Sequence, residues 1–106
     1  MIQKLIDKLN LKVTYLEREY IPITKKRRAK GAFRWNYLDH QGEILLARSA
    51  TDRTKIHEIG HAINFILGRG NPISDTLGIE SEDFANHMAD ILELCYSKNA
   101  KEDSNN

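Results

Sequence analysis

The chain has 106 residues, of which 41% are hydrophobic and 29% charged, enough for one domain with a modest core. No apolar run approaches the roughly 18 residues needed to span a membrane. A single cysteine, Cys95, excludes an internal disulfide. The net charge is +1 but unevenly placed: residues 1–50 carry 11 Lys/Arg against 5 Asp/Glu, and residues 51–106 carry 5 against 10.

The N-terminal M-I-Q-K-L-I-D-K-L-N alternates apolar and charged residues, unlike a secretory signal, so a reducing cytoplasm is the expected setting. Ile2, Leu5, Ile6 and Leu9 fall at helical spacing and predict a short amphipathic helix. L-K-V-T-Y-L-E (11–17) alternates and predicts a strand. Pro22 then marks an edge or a loop. The basic run from Lys25 to Lys30 reads as an exposed loop. F-R-W-N-Y (33–37) and E-I-L-L-A-R (43–48) read as a hairpin, with Gly42 expected to supply the turn.

Thr51 or Asp52 is a candidate N-cap for a helix from Arg53 to Leu67, with Gly68 as its stop. Ile56, Ile59, Ile63 and Ile66 form its apolar face. Gly68 to Gly78 reads as a loop. A second helix is expected from Ser81 to Ser97, with Phe84, Met88, Ile91, Leu92 and Cys95 as its core stripe. Residues 1–96 make one domain in this reading, and 97–106 a polar, disordered tail.

K-I-H-E-I-G-H, Lys55 to His61, contains H-E-x-x-H. By chance such a motif arises in a chain of this composition roughly 1% of the time. Residues four apart share a helix face, so His57 and His61 can offer two imidazoles to one ion, and zinc favours such ligands. At ~100° per residue the histidines lie away from the isoleucine face. Glu58 is rotated away from the ligand stripe, at the position of a general base acting on water. The plainer reading is a surface helix with two unrelated histidines.

A catalytic zinc takes three protein ligands and keeps one position open. Glu82 lies beside Ala85 and Ala89, a small-residue surface that lets two helices approach closely, and is the preferred third ligand. Glu80 and His87 are the alternatives. A first-turn acid that merely complements the helix dipole is the plainer reading of Glu82.

With these residues in view, the chain resembles the ImmA/IrrE-like zinc metallopeptidases. I-H-E-I-G-H is close to the family's H-E-L-G-H, and E-S-E-D-F-A-N-H-M-A-D is similar to its E-x-x-A-N-x-F-A, with Met88 where the family prefers phenylalanine. The resemblance covers residues 2–96. It implies an α+β fold, a minimal zincin with a small twisted three-stranded sheet on an active-site helix and a ligand-bearing C-terminal helix. It implies Zn2+ held by His57, His61 and Glu82, with Glu58 as base and Asn86 as support for a ligand. It further implies cleavage of a cytosolic protein or peptide, repressors of phage or mobile elements among them. No oxyanion donor is singled out; Tyr37, Asn36, His40 and Arg48 are candidates.

Two other functions fit parts of the pattern. One is a non-catalytic, zinc-containing interaction protein that sequesters a repressor. The other is nucleic-acid binding through Lys25, Lys26, Arg27, Arg28, Lys30 and Arg34, with Phe33, Trp35 and Tyr37 as stacking rings. Against the second stands an exposed basic loop beside a strand whose aromatics pack inward. Cys95 reads as packing, and the chain as a monomer or weak oligomer.

Overall fold

The computed structural model describes residues 2–104, with side-chain surroundings as far as Cys95. It is a small α+β domain. The elements run α1 (Ile2–Lys8), β1 (Lys12–Tyr15), β2 (Ile21–Pro22), β3 (Arg28–Ala29), β4 (Gly31–Asn36), β5 (Gln41–Leu46), α2 (Asp52–Leu67), α3 (Ile73–Leu77) and α4 (Ser81–Ser104). No helix among the described residues is long and apolar enough to cross a membrane.

Three strands form a mixed sheet in the order β1-β5-β4, with β1 parallel and β4 antiparallel to β5. Alternation sorts its two faces. Val13 and Phe33 flank Ile44 in register, and with Leu46 they join the core formed by Ile56, Ile59 and Ile63 of α2. On the opposite face Glu43 sits between Lys12 and Arg34. Thr14 Oγ1 and Arg34 Nε donate to its carboxylate, which holds the carboxyl below its usual range. The Thr14 hydroxyl contributes most to that shift, against desolvation, with Arg34 and Lys12 adding to it.

Helix α2 is started by a reciprocal cap. Thr51 Oγ1 accepts from the Thr54 backbone N–H, and Thr54 Oγ1 accepts from that of Thr51. Helix α4 packs along α2, where Gly60 meets the backbone of Ala85. Ala85 and Ala89 are fully buried there, so the small-residue surface expected of this helix is where the two helices meet.

The structure corrects several expectations. The β4–β5 turn takes its positive φ at His40 (49°), while Gly42 lies within β5. A Cβ at Gly42 would come within 2.8 Å of Leu11 and 2.9 Å of Phe33, so this glycine makes room rather than a turn. The segment between Gly68 and Gly78 contains α3, pinned from within: Asn64 Nδ2 donates to Ser74 Oγ (3.0 Å) and the Ser74 N–H to Asn64 Oδ1 (2.8 Å), both residues buried. The basic run is exposed, as expected, but folds back as a β2–β3 hairpin pairing Ile21 with Ala29. Helix α4 passes Ser97 and continues to Ser104, through a stretch with no glycine or proline to stop it. Asn105 and Asn106 lie outside the described residues. Ile91 and Cys95, assigned to the core stripe, are exposed; Phe84 and Leu92 are buried and Met88 partly so.

Candidate metal centre

The core face of α2 decides where its histidines go. With Ile56, Ile59 and Ile63 buried under the sheet, a rotation of about 100° per residue turns His57 and His61 to the flank covered by α4. The rings stand edge to face, their centroids 4.8 Å apart. From the first turn of α4, Glu82 reaches both: Oε2 lies 3.1 Å from His57 Nε2 and Oε1 2.9 Å from His61 Nε2. One donor atom from each residue falls within 4.8 Å of the other two, so the three side chains form a group able to hold a metal ion. Two zinc ligands each about 2.0–2.1 Å from the ion lie roughly 3.3 Å apart in tetrahedral geometry. The two histidine–Glu82 separations are close to that.

The hydrogen bonding at His57 tests the fit. Its Nδ1 lies 2.9 Å from Asn86 Oδ1. An amide oxygen only accepts, so Nδ1 carries the proton and donates. In a neutral ring Nε2 then presents its lone pair to the Glu82 carboxylate, acceptor against acceptor. That contact calls for a proton or a metal ion between the two atoms. The donor set, two imidazole nitrogens and a carboxylate, suits a borderline divalent ion. Burial lowers the pKa of His61, opposed by the neighbouring Glu82 carboxylate, and so favours the neutral imidazole that ligation needs.

Glu58 stands apart from the three. Only 6% exposed, it points toward β4, where a Cβ on Gly31 would come within 3.1 Å of its Cγ. Burial raises its pKa to about 7, with the charge of Glu82 acting in the same direction. It walls two adjoining clefts that share Glu82. One is lined with Ile23, Phe33, Phe65 and Pro72 beside His61; the other with Arg28, Lys30, Arg53 and Asn86 beside His57. The terminal strand β4 runs along this region through Gly31, which borders both clefts.

The structure thus gathers His57, Glu58, His61, Glu82 and Asn86. It leaves out the alternative third ligands. Glu80 precedes α4, its carbonyl accepting the Phe84 N–H, and His87 is exposed; neither belongs to the metal group. The four oxyanion candidates also lie elsewhere. Asn36 is taken up by Asp39 and the hairpin turn, Tyr37 and His40 are exposed on that hairpin, and Arg48 borders a different cavity with Tyr15 and Lys55. Arg27, read from the sequence only as part of a basic loop, borders both clefts at the centre. Its place depends on the β2–β3 hairpin, whose strands of two residues are too short to show a period in sequence.

No family model, curated protein or solved structure matches this chain.

Proposed function

We propose that the chain is a zinc metallopeptidase domain of the ImmA/IrrE type, with a zincin-like arrangement of sheet, active-site helix and ligand-bearing helix. The observation that carries this reading is the division of labour around Glu82. Three donors converge from two helices, and a buried fourth residue, Glu58, lies beside them without joining them. A structural zinc site is closed by four protein ligands. A site with three, next to a buried carboxylate and an open cleft, matches a hydrolytic centre better.

In this reading His57, His61 and Glu82 hold the ion. When bound, it supplies Lewis-acid chemistry, acidifying a coordinated water and polarising the carbonyl under attack. Glu58 takes a proton from the attacking water and delivers it to the leaving amine. Its burial keeps that carboxylate out of bulk solvent and raises its proton affinity, as a base near neutral pH requires. Asn86 fixes the tautomer of His57 by accepting from Nδ1, so that Nε2 is left for the metal. An extended substrate adds to the free edge of β4 by backbone pairing and so lies across Glu58. The substrate class is a cytosolic protein, with repressors of phage or mobile elements as the first to try.

The test combines metal analysis with two substitutions. Purified protein should carry about one zinc per chain, and His61→Ala should lose it. Glu58→Gln should keep the zinc and lose peptide cleavage by at least a factor of about a hundred, the lower end for general-base catalysis. Full zinc with no peptide cleavage by the unsubstituted protein, across a broad peptide library, would replace the peptidase reading with that of a metal-containing binder.

A further inference from the structure

The two clefts flanking Glu58 differ in chemistry. The one beside His61 is the more apolar, lined by Ile23, Phe33, Phe65 and Pro72, with Arg27 at the border it shares with the other. The one beside His57 is lined by Arg27, Arg28 and Lys30, carried by the β2–β3 hairpin and the residue after it. We infer that these three cations form a carboxylate-recognising subsite, so that the preferred substrate is a peptide with acidic residues on one side of the scissile bond and apolar residues on the other. This rests on the peptidase reading for the word "scissile". The binding preference itself does not.

Three observations support it. First, the cations have no carboxylate partner among the described residues. Glu43 engages Lys12 and Arg34, Asp90 and Glu93 engage Arg53, and Glu82 faces the histidines. Like charges that line one cleft without a partner leave a positive field there, and an acidic ligand is drawn to it. Second, the hairpin holds them in place. Thr24 Oγ1 accepts from the backbone N–H groups of Lys26 and Arg27, Ile21 pairs with Ala29, and the Arg28 guanidinium lies 5.9 Å from the centre of the Tyr20 ring. Third, two of the three rings that follow the basic run in sequence pack against a neighbouring ring. Phe33 and Trp35 pack on Phe65 with centroids 6.0 Å and 5.3 Å apart, and the exposed Tyr37 stands at the β4–β5 turn, outside the lining of both clefts. The same positive patch that suggests a nucleic-acid backbone in sequence therefore faces the cleft, where a peptide carboxylate fits better than a base.

The experiment uses the 106-residue chain as zinc-loaded Glu58→Gln protein and fluorescein-labelled decapeptides with a common apolar half. The other half carries aspartate and glutamate, or serine and glutamine. Anisotropy should show the acidic peptide binding at least tenfold tighter than the neutral one, with the advantage shrinking in high salt. The added charge reversal Arg27→Glu/Arg28→Glu should abolish the advantage and leave binding of the neutral peptide within about twofold. Both residues are exposed, so a circular-dichroism melt should be unchanged. Equal binding of the two peptides, no binding of either, or an advantage that survives charge reversal would overturn the subsite. So would a single-stranded oligonucleotide that displaces the acidic peptide at lower concentration than unlabelled peptide does. Failure of the peptidase reading looks different: the unsubstituted protein would prefer the acidic peptide yet cut neither.

Discussion

Replacing Gly60 with alanine isolates the helix crossing on which the proposed metal site depends. A Cβ at this position would lie 2.9 Å from the Ala85 carbonyl oxygen, 3.0 Å from its Cα and 3.3 Å from Met88 Cβ. The first two obstacles are backbone atoms, which cannot swing aside. Ordinary contact begins at 3.4 Å, so α4 must retreat from α2 by about 0.5 Å. Two effects on stability oppose one another. Alanine gains about 1 kcal/mol over glycine in helix propensity, while overpacking costs about 1–3 kcal/mol. The metal-free protein should lose no more than about 2 kcal/mol in urea denaturation. Metal binding has no such compensation. Glu82 sits one turn before Ala85 and moves with it, away from histidines that it meets at 2.9 and 3.1 Å. Zinc–ligand distances tolerate only about 0.2 Å. Zinc affinity, measured by competition with a chromophoric chelator, should therefore fall at least tenfold while the fold survives. A Gly60→Ala protein that holds zinc as tightly as the unsubstituted chain would refute the placement of Glu82 as third ligand.

Three further outcomes are expected. Asn86→Ala removes the acceptor that fixes the His57 tautomer and should weaken zinc about 10- to 100-fold, with little change in the melting temperature of the metal-free protein. Glu43 has a depressed carboxyl pKa in the folded state, so its contribution to stability is complete above the ordinary carboxylate value of 4.5 and is lost as pH falls through the lower folded value. Glu43→Gln should cost about 1–3 kcal/mol at pH 7, and the gap from the unsubstituted protein should close in acid; a constant gap across the titration would show that the contact acts by packing alone. Asn64→Ala strands the buried Ser74 N–H and hydroxyl and should destabilise by about 1–3 kcal/mol, with faster amide exchange across α3 than across α4.

The sequence was most legible where local pattern and long-range packing agree. The isoleucines of α2 repeat at helical spacing, Thr51 caps the helix, and the position of the histidines follows by rotation. Glu82 was legible for a related reason: Ala85 and Ala89 mark where another backbone can come close, and a residue one turn earlier must lie near it. What escaped depends on partners distant in sequence. Helix α3 is held by Asn64, ten positions before Ser74, and five residues of weak propensity give no warning of it. The β2–β3 hairpin leaves no alternation to read, so the sequence puts Arg27 on a loop, where the structure has it lining the clefts beside the proposed catalytic base. Ile91 and Cys95 show the limit of amphipathic periodicity. It identifies a face, but not where the opposing helix ends: α2 and α4 run antiparallel, Arg53 in the first turn of α2 already meets Asp90 and Glu93, and α4 runs on past it to Ser104.

The link between His61 and Glu82 spans 21 positions and encloses the whole of α3. An ion held there would therefore act as a cross-link as well as a reagent. Tying off a loop of that length restricts the unfolded chain in the manner of a disulfide, an effect on the order of 3 kcal/mol. For a chain of 106 residues without any disulfide, that is a sizeable part of the usual margin of stability. Abundance would then follow metal supply: copies that fail to load would unfold more often and be cleared first, so a metal-starved cell would lose the protein itself and not only its activity.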